Sequence, residues 1–153
     1  MAGQDQSMHD LFCHFLLLII FILLLYSCVT DILYRQIKNS CVLSVLVSSM
    51  CLAMLFGHIN IMIPAMVLII GFLLAITGMI GAGDIKLIVA LVFSIPQNLI
   101  LEFFFSVCCL GAPVSIMAMV LFNLFLKKKH QTVPFGVAIS VGYIFTIWHG
   151  GVV

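Results

Sequence analysis

Residues 11–29 read LFCHFLLLIIFILLLYSCV, a run that contains no Asp, Glu, Lys or Arg. An α-helix needs roughly 20 such residues to cross the hydrocarbon core of a bilayer, which is about 30 Å thick. Similar runs follow one another along the chain with short polar connections, at 41–56, 61–80, 85–95, 99–126 and 137–148. The pattern predicts an all-α, polytopic membrane protein, a bundle of six transmembrane helices forming one domain over residues 1–153.

The composition excludes an ordinary soluble domain. Of the 153 residues, 65% are hydrophobic and only 7% are charged, whereas soluble domains carry about 25% charged residues. Six spans of about 20 residues would leave only about 33 for termini and connections. Any chemistry must therefore lie at helix ends and short loops. We expect membrane lipid, and no nucleic acid, among the partners.

The basic residues predict the orientation of the bundle. With six alternating helices, every Lys and Arg falls on one face of the membrane, namely Arg35, Lys38, Lys86, Lys127, Lys128 and Lys129. Because basic residues of short loops stay preferentially in the cytoplasm, both termini are predicted on the non-cytoplasmic side. The residues before Leu11 contain no Lys or Arg, so we expect no cleaved signal peptide there.

Acidic residues are costly in a bilayer, so each of the five needs a reason. Asp5 and Asp10 precede the first span and are expected in solvent. Glu102 lies near the start of the fifth helix, where the helix dipole favours a carboxylate. That leaves Asp31 and Asp84, which the predicted topology places on the same cytoplasmic face.

Each of these two aspartates also has a purely structural explanation. Asp31 could pair with Arg35, four residues further along a continuing helix. Asp84 could cap the fourth helix after a tight turn at Gly81 and Gly83. As a pair, however, two neighbouring carboxylates share a proton through like-charge repulsion, so one can act as acid and the other as base on a water molecule. The glycines would then let a substrate backbone approach.

Three segments resemble motifs of one family. DILYRQIKN at 31–39, GAGDIK at 81–86 and PFG at 134–136 are similar to the motifs of type IV prepilin peptidases, which are intramembrane aspartyl proteases. The resemblance implies that Asp31 and Asp84 are catalytic. It implies substrate-binding or supporting roles for Arg35, Asn39, Gly81, Gly83, Lys86, Pro134 and Gly136.

The resemblance also implies an activity and a location. The expected reaction removes the basic leader of a prepilin or pseudopilin, after a glycine, at the cytoplasmic face of the bacterial inner membrane. Larger relatives also N-methylate the new terminus and carry two Cys-x-x-Cys pairs, which the six cysteines of this chain do not form. The chain therefore resembles the short peptidase-only branch of tight-adherence (Tad) pilus systems. We expect no metal, no cofactor and no methyltransferase activity.

Two other classes stay open at this point. A small transporter or channel subunit could use Asp31 and Asp84 as proton or cation ligands, and a purely structural membrane subunit would leave Asp31 unexplained. The sequence also leaves open a homo-oligomer. Small residues at Gly136, Ala138, Ser140 and Gly142 predict that the last helix packs closely against its neighbours.

Overall fold

The described part of the chain consists of helices joined by short connections. The computed structural model describes residues 2–34, 36–57, 59–78, 80–126 and 134–151, and no strand occurs among them. The first four helices are α1 (Ala2–Tyr34), α2 (Asn39–Leu55), α3 (Met62–Ile76) and α4 (Ala82–Val92). They are followed by a compound helix, α5, and by α6 (Phe135–His149). The all-α class predicted from the sequence is confirmed.

Helix α5 is continuous but irregular. It opens with a 3₁₀ turn, Gln97–Leu99, continues as an α-helix over Ile100–Ser106, passes through a π-helical turn, Val107–Gly111, and ends with Ala112–Leu126. The connection between the apolar runs 85–95 and 99–126 therefore consists of Pro96 and part of the first turn of this helix. The apolar pattern did not reveal the π-helical turn.

Several helix ends differ from those expected. Helix α1 continues to Tyr34, so that Asp31 lies within its last turn. Helix α3 ends at Ile76, and not at residue 80, because Gly78 adopts a φ of 73°, which a helix cannot accommodate. Helix α4 begins at Ala82, three residues earlier than predicted, and this places Asp84 inside the helix.

Contacts between helix ends show the relative direction of two helix pairs. His9, near the start of α1, lies 3.2 Å from the carbonyl oxygen of Leu55 at the end of α2. His149, at the end of α6, pairs with Glu102 at the start of α5, with 2.8 Å between Nδ1 and Oε1. Neighbouring helices in each pair are therefore antiparallel.

Close helix contacts occur at glycines. A Cβ atom on Gly142 would lie 2.5–2.9 Å from atoms of Val107, and one on Gly111 would lie 2.4–2.8 Å from backbone atoms of Ala138. Both pairs join α6 to the π-helical turn of α5, so the backbones of these helices almost touch. The close packing expected for α6 is confirmed at Gly142, and it brings the first turn of α6 to a fixed position beside α1.

The exterior of the bundle is apolar. Helix α3 shows this best, since its only buried residues are Pro64 and Gly71. Its exposed side chains include Met66, Leu68, Ile69, Ile70, Phe72, Leu73 and Ile76. Two helical segments, Met8–Tyr34 and Gln97–Leu121, are long and apolar enough to cross a membrane, whereas α2, α3 and α6 are apolar but shorter. The apolar surface agrees with a lipid environment.

Candidate active site

Asp31 occupies a buried position in the last turn of α1. Its side chain is only 6% exposed, although a carboxylate at the C-terminal end of a helix gains nothing from that helix's dipole. The stabilising contact comes from another helix, since the Gly136 N–H group donates a hydrogen bond of 2.8 Å to Asp31 Oδ2. The carboxylate thereby binds the first turn of α6, where backbone N–H groups lack acceptors within their own helix.

The glycine at position 136 is required by this contact. A Cβ atom there would lie 2.9 Å from Asp31 Oδ2 and 3.3 Å from both Cβ and Cγ of Asp31. Any larger residue would push the carboxylate or the helix away. Close packing of α6, expected from its small residues, is thus also confirmed at Gly136.

Asp84 lies in the first turn of α4 and is half-buried. The N-cap residue of this helix is Gly81, which has extended backbone angles of −67° and 138° and provides no side-chain cap. The alternative in which Asp84 is the N-cap residue is therefore wrong, because Asp84 is the third residue of α4. It still benefits from the N-terminal end of the helix dipole.

The two aspartates line one cavity. It has a volume of about 350 Å³ and lies where the end of α1 meets the starts of α2 and α4. Its lining residues are Asp31, Gln36, Ile37, Asn39, Gly81, Ala82, Gly83, Asp84 and Lys86. The chain therefore folds so that two carboxylates 53 positions apart (84 − 31) face the same space.

A polar contact joins the two helices that begin at the cavity. Lys86 Nζ on α4 donates a hydrogen bond of 3.4 Å to Asn39 Oδ1, in the first turn of α2. This bond is long and exposed, so it contributes little stability. It does place the amino group of Lys86 at the cavity wall, two residues from Asp84.

Most residues singled out in the sequence meet at this cavity. Asp31, Asp84, Asn39, Gly81, Gly83 and Lys86 line it. Gly136 reaches the site through its bond to Asp31, and Pro134 is buried directly before α6. Arg35, together with its proposed pairing with Asp31, lies outside the described residues.

The cavity is also lined by Gln36, Ile37 and Ala82, which were not predicted from the sequence as site residues. Ile37 packs against the first turn of α4, since a Cβ atom on Gly83 would lie 3.5 Å from Ile37 Cβ. All three residues lie inside the motifs at 31–39 and 81–86, and this position could have identified them as residues of the site.

Other side chains do not form a comparable site. An apolar groove of about 390 Å³ lies between α1 and α6 near the other end of the bundle, lined by residues such as Leu18, Phe21 and Tyr143. Among the described residues, no three His, Cys, Asp or Glu side chains are grouped so that they could hold a metal ion. The cysteines are free thiols.

An apolar helical bundle with two carboxylates around one polar cavity has the arrangement expected of an intramembrane aspartyl peptidase. The model of the type IV leader peptidase family matches residues 18–116, about two thirds of the chain, including both aspartates. The chain therefore belongs to the type IV leader peptidase family, a family of membrane-embedded peptidases. No curated protein and no solved structure gives a significant match.

Proposed function

We propose that the protein is a membrane-embedded aspartyl endopeptidase that removes the basic leader of prepilin-like proteins. The shared cavity of Asp31 and Asp84 is the observation that carries this proposal. Family membership favours a peptidase over the transporter and structural-subunit alternatives. The substrate class, the cleavage after a glycine and the Tad branch rest on the resemblance of the motifs.

The proposed reaction needs only the two carboxylates and a water molecule. One carboxylate removes a proton from the water as it attacks the scissile carbonyl carbon, while the other, protonated, donates its proton to the carbonyl oxygen. The carboxyl group that took the water proton then transfers it to the leaving amine, and the C–N bond breaks as the other carboxylate takes a proton from a hydroxyl group of the tetrahedral intermediate. Since a coupled pair titrates as a unit, we assign neither role to one residue.

The surroundings of the cavity fit a peptide substrate that enters from a membrane. Gly81 and Gly83 add no side chain of their own to the cavity wall beside Asp84, which favours the approach of a substrate backbone. We propose that Lys86, Asn39 and Arg35 orient the aspartates or contact the leader. In this proposal the cavity faces the cytoplasm, the chain crosses the bacterial inner membrane six times, and both termini lie outside.

The test is leader removal in cells that co-express the protein and a prepilin-like substrate. Asp31→Asn and Asp84→Asn are each expected to lower cleavage by at least about a hundredfold, the usual scale for an acid or base catalyst. Asp10→Asn is the matched control, because Asp10 is exposed near the start of α1, far along that helix from Asp31. Leader removal that survives either of the first two substitutions would contradict the aspartyl mechanism.

A further inference from the structure

Helix α1 contacts both backbone polar groups of Gly136, its N–H group and its carbonyl oxygen. Asp31 Oδ2 accepts a hydrogen bond of 2.8 Å from the Gly136 N–H group. The thiol of Cys28, three residues earlier on α1, lies 3.9 Å from the Gly136 carbonyl oxygen as a weak donor. Residues three apart share a helix face, so one face of α1 holds residue 136 at two points.

The donor at Gly136 is available because of where α6 begins. The N–H groups in the first turn of a helix have no acceptor within that helix. The N-cap residue of α6 is Pro134, and its side chain does not cap the helix. A carboxylate acceptor makes the bond charge-assisted and therefore stronger than a neutral one.

From this geometry we propose that the Gly136 N–H group is the positioning group for Asp31. It holds the carboxylate at the wall of the cavity that Asp84 also lines, while Gly136 itself is not a lining residue. The inference rests on the proposed function, since it assigns a partner to one of its two catalytic carboxylates. It gives the PFG segment at 134–136 a role in catalysis, although residue 136 lies outside the matched range 18–116.

The position of a catalytic group strongly affects the rate. A misplacement of about 1 Å can lower a rate by about a hundredfold. If the Gly136 N–H group positions Asp31, its removal should lower kcat, because the reacting carboxylate is displaced. KM should change little, because substrate contacts lie elsewhere on the cavity wall.

The test replaces the amide at residue 136 by an ester. Cell-free translation into lipid nanodiscs can insert glycolic acid in place of Gly136, which removes the N–H group and adds no atom to the crowded space. The matched control inserts lactic acid in place of Ala138, which keeps the methyl group but removes an N–H group of the same helix. Cleavage of a synthetic pilin-like peptide with a basic leader gives kcat and KM for each protein.

We expect the ester at residue 136 to lower kcat by ten- to a hundredfold and to leave KM within twofold of the unmodified protein. The ester at residue 138 should leave kcat within threefold of the unmodified value. Equal losses for both esters would overturn the proposal, because they would show a general effect on α6. A loss confined to KM, or no loss at residue 136, would also overturn it.

A second variant covers the case in which the ester protein does not fold. Gly136→Ala keeps the N–H group but adds a Cβ atom 2.9 Å from Asp31 Oδ2. It should also lower kcat selectively, and unchanged kcat would count against the proposal. Absence of cleavage by the unmodified protein would instead contradict the proposed function, so the two failures are distinguishable.

Discussion

The two glycines that precede Asp84 are predicted to differ sharply in their tolerance of alanine. Gly81 has extended backbone angles that alanine adopts easily, but its Cβ atom would lie 2.8 Å from Asp84 Oδ2. At Gly83 the nearest atom to a new Cβ is Ile37 Cβ at 3.5 Å, which is an ordinary contact. Gly81→Ala should therefore displace the Asp84 carboxylate, the proposed catalytic group, whereas Gly83→Ala should fit.

The size of the effect follows from the distance. A carbon atom and an oxygen atom in contact are usually at least about 3.3 Å apart, so Asp84 Oδ2 must move by about 0.5 Å in Gly81→Ala. Because a misplacement of about 1 Å can cost about a hundredfold in rate, half that distance corresponds to about tenfold in kcat. Gly83→Ala should keep kcat within about twofold. It should also stabilise α4 by up to about 1 kcal/mol, since alanine is favoured over glycine inside a helix.

The assay uses purified protein in liposomes and a synthetic substrate with a basic leader, a glycine and an apolar segment. Mass spectrometry of the released leader gives kcat, and thermal unfolding in detergent gives the stability. Wild-type kcat in Gly81→Ala would refute the steric argument. An equal loss of kcat in Gly83→Ala with unchanged stability would also refute it, because the contact with Ile37 leaves room for the new Cβ atom.

Three further outcomes test the fold and the chemistry. Gly142→Ala should lower the free energy of unfolding by about 1–3 kcal/mol, because its Cβ atom would press on the backbone of Val107. Denaturation in detergent measures this change. Unchanged stability would mean that α5 and α6 separate easily. Tyr143→Phe should cost about 0.5–1.5 kcal/mol in the same measurement, since the buried Tyr143 hydroxyl and Ser94 Oγ form a hydrogen bond of 2.9 Å. Chelators such as EDTA should leave cleavage unchanged in the liposome assay, because a carboxylate pair needs no metal. Inhibition that added metal reverses would contradict the two-carboxylate mechanism.

Much of the fold could be read from the apolar pattern. Each of the six apolar runs corresponds to one helix, because segments this hydrophobic are separated only by short polar connections. The placement of Asp31 and Asp84 at the same end of the bundle follows from the alternating direction of the helices. Only the number of helices between the two aspartates is needed for this prediction, and their shared cavity agrees with it.

The local details of the site could not be read in this way. The GAGD segment is compatible with an aspartate that caps a helix and with one that lies inside it, and only the observed start at Ala82 decides between them. The bond from Gly136 to Asp31 joins residues 105 positions apart (136 − 31). Such a contact depends on how closely α1 and α6 approach each other. The small residues of α6 predict close packing in general, but they do not show which helix is the neighbour.

The short helices of the bundle have a consequence for the surrounding lipid. At about 1.5 Å per residue, the 15 residues of α3 rise about 22 Å, and the 11 residues of α4 rise about 16 Å. Both lengths fall short of a hydrocarbon core of about 30 Å, and such a mismatch is relieved when the bilayer thins locally. The membrane around α3 should therefore be indented, which would bring bulk water and the polar end of a substrate closer to Asp84. In the proposed six-span arrangement, we therefore expect lipids with shorter acyl chains to favour turnover.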